Sequence, residues 1–285
     1  MLKKITINAI LNYIDERIEK HPININDLVQ FSGYSRRYIQ LIFCKEIGIP
    51  IGRYIQRRRI TRAALLLRLT SLTITLISEK LCYDSQQTFT REFRKHTGYT
   101  PLQYRKSKVW TFKNQTGHRE VQALLPVPLV TFLPQVFFSG KSINYLGKIP
   151  HTYENAKKKW DLVNSILLKE TKVYTTNIIS HGRNASNEFN IKTIIHTSKE
   201  STDTKETIHQ NMYAYFTYKG KINDYVFYVN NLYLNVLPFY GLQIRYGYDL
   251  EIISIQADGE YYFEYYLPIY NTSCRIPCHI RNIVI

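Results

Sequence analysis

Polar side chains between residues 85 and 97 have the composition of a surface that contacts DNA bases. Phe89 and Phe93 are four residues apart, so on a helix they share one face and point to the interior. The opposite face then presents hydrogen-bonding groups, namely Gln86, Gln87, Thr90, Arg91 and Arg94. Glutamine can pair with N6 and N7 of adenine, and arginine can pair with guanine or hold a phosphate. The pattern predicts base contacts from one helix.

A second candidate chemistry lies near the C-terminus, where Cys278 precedes His279. A thiol beside a histidine can be activated as a nucleophile, and Ile276-Pro277-Cys278-His279 is similar to the Pro-Cys-His element of DNA-repair alkyltransferases. Such a repair domain needs long upstream segments that this chain lacks, so we interpret the motif as coincidence and expect no enzyme activity. With Cys274 the pair makes three clustered ligands without a fourth, so we expect no metal site and no cofactor.

A third candidate is an acid among tyrosines. Glu264 lies in a strand-like run rich in Tyr, and a carboxylate beside aromatic faces suits a cation. The possible walls of such a site are Trp160, Tyr213, Tyr215 and Tyr262. The alternative is that these aromatic residues belong to the core or its rim and hold no ligand.

Positive charge is concentrated in the first two-fifths of the chain. The net charge is +16, of which residues 1–110 contribute +12, with 20 Lys and Arg against 8 Asp and Glu. Residues 111–285 carry only +4. This asymmetry favours a nucleic-acid-binding module in residues 1–110, although a solvated basic surface is the alternative.

The length and composition are typical of two globular domains in a reducing compartment. The chain has 285 residues, a hydrophobic fraction of 44% and only four cysteines. No run of 18 uncharged apolar residues is present, so no membrane span is expected. The first residues do not form the apolar core of a signal peptide, which predicts a cytoplasmic protein, associated with the nucleoid if it binds DNA.

The elements that position the polar run are helices. Apolar residues at helical spacing predict a first helix up to about Lys20, and capping residues predict short helices over 25–31 and 35–46, separated by a glycine turn. A short helix, a glycine turn and a second helix make a helix-turn-helix. The same plan repeats over 73–81 and 85–97, and a last short helix begins at Thr100-Pro101.

A long helix over 51–69 is predicted between these two units. At 1.5 Å per residue its length is about 30 Å. Successive major-groove segments on one face of DNA lie about 34 Å apart. One molecule could therefore address two adjacent segments without dimerising. Arg57, Arg58 and Arg59 on this helix could contact phosphate or simply cover the helix.

The pattern changes after residue 110 to an α+β arrangement. A helix is predicted over 154–168 and another over 225–240, with strands over 212–218 and 261–269. The polar segment 181–210 is interpreted as a loop or a weak hairpin. We expect a DNA-binding domain over 1–108, a linker over 109–122 and a second domain over 123–285.

The second polar run and its flanks resemble the signature of the AraC/XylS family of transcription regulators, in its MarA/SoxS/Rob branch. The matching residues are Asp84-Ser85-Gln86-Gln87-Thr88-Phe89-Thr90-Arg91-Glu92-Phe93-Arg94-Lys95, then Gly98-Tyr99-Thr100-Pro101 and Tyr104-Arg105. In the first unit Gly33-Tyr34-Ser35, Gln40 and Phe43 also match. The second half is similar to a GyrI-like effector-binding domain in 214–220, 237–238, 249–251 and 264–269.

This resemblance implies a set of DNA contacts and a mode of action. The expected contacts are Arg36, Arg37, Gln40, Arg57, Gln86, Gln87, Thr88, Thr90, Arg91 and Arg94. Arg37 and Leu41 depart from the family pattern, which often has Trp and a base-reading Arg in those places, so the first half-site is expected to be shifted or less discriminating. Ile77 and Cys82 stand where many members have Ala and Gly.

The resemblance further implies a monomeric activator that recruits RNA polymerase to stress, efflux or antibiotic-resistance promoters on double-stranded DNA. A small cationic or amphipathic effector is the implied ligand of the second domain. An architectural DNA-binding protein with weak sequence preference is the main alternative, and a repair alkyltransferase acting through Cys278 is the least favoured.

Overall fold

The computed structural model describes residues 2–112, 115–117, 125–148, 153–182, 188–196 and 205–270, together with the backbone of 278–280. Within these residues the N-terminal region is helical, with α1 Leu2–Arg17, α2 Ile25–Ser32, α3 Arg36–Ile47, α4 Ile51–Leu69, α5 Ile74–Lys80, α6 Gln86–Thr97 and α7 Pro101–Lys106. No described helix has the length and apolar character that crossing a bilayer requires.

The remaining elements alternate between strands and helices. The strands are β1 Val109–Thr111, β2 Leu129–Leu133, β3 Val136–Lys148, β4 Lys172–His181, β5 Glu188–His196, β6 Lys205–Ile208, β7 Asn211–Gly220, β8 Gln243–Arg245, β9 Asp249–Ile255, β10 Tyr261–Pro268 and β11 Cys278–Ile280. The helices are α8 Lys157–Leu167, which follows a 3-10 turn at Tyr153–Ala156, α9 Ile222–Asn231 and α10 Leu237–Tyr240, the last two joined by a π-helical segment Leu232–Val236.

Capping residues set the ends of the N-terminal helices. The Asn24 side chain accepts the backbone N–H of Asp27 at 3.1 Å, and the Asp27 carboxylate accepts the N–H of Asn24 at 2.8 Å. These two bonds form a capping box at the start of α2. Gly33 and Gly98 end α2 and α6 with φ of 71° and 83°, the left-handed region that glycine adopts most readily. The predicted double helix-turn-helix architecture is confirmed.

Helix α4 connects two separate cores of the helical region. Its first turns carry Ile51, Tyr54 and Ile55 into a core formed with α1, α2 and α3. Its later turns carry residues 63–67 into a second core that also contains Phe89 and Phe93 of α6. The first unit (α1–α3) and the second unit (α5–α7) are therefore both fixed to one 19-residue rod.

A curled, mostly antiparallel sheet forms the C-terminal domain. Its strand order within the described residues is β11-β2-β7-β10-β9-β4-β5-β3-β6, and only the β11–β2 pair is parallel. One face packs against α8 and α9, with Trp160, Tyr225 and Phe263 at its centre. The opposite face has its own apolar cluster, which includes Tyr213, Tyr215 and Tyr266. The predicted α+β class of this domain is confirmed.

The interpretation of 181–210 as a loop or weak hairpin was wrong for the described part of that segment. Strand β5 pairs with both β4 and β3, so it is internal in the sheet, and β6 pairs with β3. Phe189, Ile191 and Ile195 are buried in β5. The strand was not predicted because the segment was interpreted from its polar composition and not from this alternation. Residues 183–187 and 197–204 of the segment lie outside the described part of the chain.

The segment expected to be a linker is partly built into the C-terminal domain. β1 pairs antiparallel with β8, with Trp110 opposite Ile244. Gly117 lies against the π-helical segment, since a Cβ at this position would be only 2.4 Å from Cα of Asn235. Residues 113–114 and 118–122 of the expected linker are not among those the structure describes.

Candidate nucleic-acid interface and interior cavity

Helix α6 presents its polar face because its apolar face is fixed in the core. Ser85 caps the helix by accepting the N–H of Thr88 at 3.1 Å. Phe89 and Phe93 are fully buried, with ring centroids 5.6 Å apart. The rotation of the helix is therefore determined by two aromatic anchors.

The outward face of α6 forms one open, polar surface. It is lined by Gln86, Gln87, Thr90, Arg91, Arg94, Lys95 and Thr100. Amide and guanidinium groups at this spacing can reach base edges in a major groove. Five of the six α6 residues predicted as contacts thus lie together on this surface.

Thr88 is the exception among the six. It is half-buried, and its hydroxyl accepts a hydrogen bond from the Ser85 hydroxyl at 3.1 Å in the helix cap. Gln86 also has an internal partner, because its side-chain oxygen accepts from the Thr75 hydroxyl at 2.6 Å. This bond connects α5 to the first turn of α6.

Helix α3 has the same construction with a different surface. Ser35 caps it by accepting the N–H of Tyr38 at 3.3 Å, and Ile39 and Phe43 are fully buried. Arg36, Arg37 and Gln40 are exposed, as predicted for contacts. Leu41 shares this outer surface and is 64% exposed, so an apolar side chain stands within the polar face.

Arginines of α4 serve as internal connections. Arg58 is buried, and it donates to Asp15 of α1 and to the carbonyl of Thr116, both at 2.9 Å. Burial lowers the pKa of Arg58, but the charge of Asp15 and the hydrogen bond to it outweigh this and raise the pKa overall. Arg62 pairs with Glu19, which Lys80 also contacts at 2.9 Å. Of the two alternatives for Arg58, a phosphate contact or a cover for the helix, these bonds support the second.

Arg57 lies between the two units in a different environment. It is half-buried. Burial lowers the pKa of the His96 imidazole on α6, and the charge of Glu92 opposes this effect. The positive charges of Arg57, Lys95 and Arg53 lower the pKa further, so Arg57 is one of several cations around this imidazole.

The C-terminal domain contains a cavity of about 110 Å³ that reaches α4. Leu65 and Leu69 of α4 form one side of it. The other sides are formed by α8, α9, β4, β5, β9 and β10, through residues that include Lys159, Trp160, Asn177, Ile191, Tyr225, Val229, Asp249, Glu251 and Tyr265. A molecule in this cavity would touch both domains at once.

Three buried charged groups lie in the wall of the cavity. The ammonium of Lys159 donates to a Glu251 oxygen, and that oxygen also accepts from the Thr175 hydroxyl at 2.7 Å. Burial raises the pKa of Glu251, but the charge of Lys159 and its hydrogen bond lower it overall. Burial and the neighbouring charge of Glu251 raise the pKa of Asp249 to about 7. Glu251 is thus the ionised acid of the pair, and Asp249 exchanges its proton near neutrality.

The structure separates the residues predicted for a ligand site. Trp160 lines the cavity, but Glu264, Tyr213 and Tyr215 belong to the opposite side of the sheet. There Glu264 accepts from the Tyr215 hydroxyl at 3.0 Å and from the Tyr266 hydroxyl at 3.1 Å. Tyr262 is half-buried and is two residues from Glu264, so it shares that side of β10.

The acids of the cavity could have been found from strand alternation. In Asp249–Ile255, Asp249 and Glu251 share one face with Ile253, and Ile253 is fully buried. Lys159 is one turn from Ala156 and Val163, which are both buried, so helical spacing places it on the inner face of α8. These signals place each of the three charged residues on an inner face, whereas the tyrosine-rich sequence around Glu264 belongs to the other face of the sheet.

Cys278 and His279 are described only as backbone, in β11 beside β2. Cys274 lies outside the described residues. Among the side chains that are described, no group of three or more His, Cys, Asp or Glu residues could hold a metal ion.

Two helix-turn-helix units on one connecting helix, followed by a domain with an interior cavity, define a DNA-binding regulator. Residues 28–107 match the model of a helix-turn-helix domain, and residues 149–270 match the model of a GyrI-like small molecule binding domain. The F1 operon positive regulatory protein of Yersinia pestis is 41% identical over 271 residues, which is 95% of this chain and 90% of that protein.

Shorter matches agree with this class. The HTH-type transcriptional activator AarP of Providencia stuartii is 36% identical over 42% of this chain and 83% of its own length. The transcriptional regulator Rob of Salmonella typhimurium is 36% identical over 37% of this chain and 36% of its own length. The chain belongs to the AraC/XylS family of DNA-binding transcription regulators.

Proposed function

We propose that the protein activates transcription by placing α3 and α6 of a single molecule in successive major-groove segments of a promoter. The observation that carries this proposal is that the units containing α3 and α6 both pack against α4. Its 19 residues correspond to a length of about 28 Å, which is close to the groove repeat of about 34 Å. Burial of the opposite face of each helix leaves the polar faces free for DNA.

The proposed contacts differ between the two helices. On α6, Gln86, Gln87, Thr90, Arg91 and Arg94 approach base edges or phosphates, and Thr88 acts through the cap that orients the first turn. On α3, Arg36, Arg37 and Gln40 approach the first half-site. Arg57 is proposed as a phosphate contact near the junction of the two units.

Two names among the relatives support activation as the direction of control. The Yersinia pestis protein is named a positive regulatory protein of the F1 operon, and AarP is named a transcriptional activator. We infer that RNA polymerase is the partner, and that the protein works at the nucleoid in the cytoplasm. Stress, efflux and resistance promoters are the target class, and operon promoters like that of the Yersinia relative form a second class to be tested.

We propose that a small molecule in the cavity modulates activity. The support is physical contact, since Leu65 and Leu69 of α4 form one wall of the cavity. A ligand that prefers one packing of α4 shifts the protein toward that packing. The second unit shares its apolar core with the C-terminal domain, whereas the first unit has a core of its own. A shift of α4 against the C-terminal domain would therefore move α3 relative to α6.

Sequence-specific binding is tested with the intact chain on DNA selected from random sequence. We expect binding that is at least a hundredfold tighter than to scrambled DNA across a salt series. Arg91→Ala should weaken the selected site by about 1–3 kcal/mol and random DNA much less. Equal affinities with a steep salt slope would instead support the architectural alternative, in which phosphate attraction dominates. Sedimentation of the complex tests whether one molecule occupies the site.

A further inference from the structure

Lys159 is buried inside the wall of the cavity, where an exposed lysine would be the ordinary expectation. Its neighbours Lys157 and Lys158 are exposed, but Lys159 is only 3% exposed. Its ammonium group donates to Glu251 and, at 3.3 Å, to the side-chain oxygen of Asn177. The protein therefore supplies a cation of its own to the acids of this cavity.

The carboxylate oxygens of these acids all accept hydrogen bonds from the protein. In Glu251, one oxygen accepts from the Tyr225 hydroxyl at 3.0 Å, and the other accepts from Lys159 and Thr175. In Asp249, one oxygen accepts from the backbone and side-chain N–H groups of Asn177, both at 2.8 Å, and the other accepts from the Tyr265 hydroxyl at 2.7 Å. A cationic ligand would have to break this network to reach a carboxylate.

The charge balance also disfavours a cation. Lys159 neutralises Glu251, and the pKa of Asp249 near 7 leaves that group only partly ionised at neutral pH. A ligand cation entering the cavity would lose its hydration, which costs several kcal/mol per ion, and would meet the positive charge of Lys159. An uncharged ligand incurs neither penalty.

The size and lining of the cavity set the scale of the ligand. A cavity of about 150 Å³ lined by apolar side chains accommodates benzene, and the free volume here is about 110 Å³. Leu65, Leu69, Ile191 and Val229 provide apolar walls. Because this volume is smaller than that of the benzene-binding cavity, it sets about one ring as the upper limit for the ligand.

We infer that the cavity binds an uncharged, mainly apolar molecule of about one ring, and that Lys159 excludes organic cations by occupying the carboxylates itself. This inference rests on the proposed effector site and narrows its ligand class, since it excludes the cationic alternative of the cationic or amphipathic effector expected from the sequence. Lys159 is thus a specificity-determining residue.

Toluene and N-methylpyridinium test the inference because they have the same shape and differ by one charge. Calorimetric titration of the full-length protein should show toluene binding at least tenfold tighter, a difference of about 1.4 kcal/mol. Val229→Phe, which fills the cavity, should abolish the toluene signal. Cation binding equal to or tighter than toluene binding would overturn the inference, and so would the absence of toluene binding at saturation.

Two variants test the role of Lys159 directly. Lys159→Met leaves Glu251 without its counter-ion, so N-methylpyridinium should now bind and raise the melting temperature of this variant. Lys159→Met combined with Glu251→Gln removes both charges and should restore the preference for toluene, and it remains informative where the single variant fails to fold. A double variant that binds the cation as tightly as toluene would contradict the assignment.

DNA binding separates this inference from the proposed function. Toluene that binds in the cavity without changing promoter affinity leaves the ligand class intact and refutes the effector role. A cation that binds and changes promoter affinity retains the effector role and refutes the ligand class.

Discussion

Replacing Arg58 with methionine should destabilise the attachment of the first unit to α4. The guanidinium donates to Asp15 and to the carbonyl of Thr116, both at 2.9 Å, and the two charged side chains are 10% and 22% exposed. Removing one partner of a fully buried pair costs about 3–5 kcal/mol, and an orphaned buried carbonyl costs about 1–3 kcal/mol. Since water can reach part of Asp15, we expect a loss of about 2–4 kcal/mol.

Urea unfolding followed by circular dichroism measures this loss, and a double-mutant cycle with Asp15→Leu isolates the pair. The coupling energy should be at least about 1 kcal/mol. Arg57→Met is the matched control on the next residue. Arg57 is the proposed phosphate contact, so Arg57→Met should leave the free energy of unfolding nearly unchanged and reduce the salt slope of DNA binding by about one.

The opposite pattern would refute the reasoning. Arg58→Met would then lower the free energy of unfolding by less than about 0.5 kcal/mol, the range of ordinary surface substitutions. It would also reduce the salt slope of DNA binding. Arg58 would in that case contact phosphate instead of holding α1 against α4.

Three further predictions concern single positions. Cys82 has φ of 58°, a conformation that costs a non-glycine residue about 1–2 kcal/mol, so Cys82→Gly should raise the urea midpoint without changing the slope. The pKa of Asp249 is raised from 3.8 to about 7 in the folded protein. The stability linked to its protonation is therefore complete below pH 4 and is lost as the pH rises through 7. Asp249→Asn should flatten the fall in the free energy of unfolding between pH 4 and 7. Leu41 is 64% exposed on the outer face of α3, and an apolar side chain there can contact a thymine methyl. Changing a contacted thymine to uracil should weaken DNA binding by the wild type by about 0.8 kcal/mol. The same change should leave DNA binding by Leu41→Ala unaffected.

Each of these predictions has a clear contrary result. A lower midpoint for Cys82→Gly would mean that contacts of the thiol outweigh the backbone strain. Parallel pH profiles for Asp249→Asn and the wild type would place the titration on another group. Equal uracil penalties in Leu41→Ala and the wild type would remove Leu41 from the groove.

The helical region was predictable from sequence because its signals are local. The limits of α4 at Ile51 and Leu69 follow from a Pro-containing turn before it and from helical periodicity, and Ser35 and Ser85 identify the starts of α3 and α6. The polar face of α6 needed only the spacing of Phe89 and Phe93.

The cavity was not predictable in the same way because its parts are distant in sequence. Lys159 meets Glu251 across 92 positions, and only the pairing of β9 with β4 brings Asp249 opposite Asn177. The sequence around Glu264 is richer in aromatic residues, but strand alternation turns that carboxylate away from α8 and α9. Arg58 shows the same limitation, since its partner Asp15 lies on a helix 43 positions earlier.

The shared core of α5–α7 and the C-terminal domain has a consequence for building chimeras. Trp110 and Phe112 pack in one apolar cluster with residues of α4, α6 and the π-helical segment, so the second unit has no boundary of its own on that side. Grafting residues 1–108 onto a foreign sensor would leave an uncovered hydrophobic surface. A hybrid regulator made from this protein should instead keep everything after Ile60 together and exchange only the first unit. The apolar core of that unit is separate from the core that the second unit shares with the C-terminal domain.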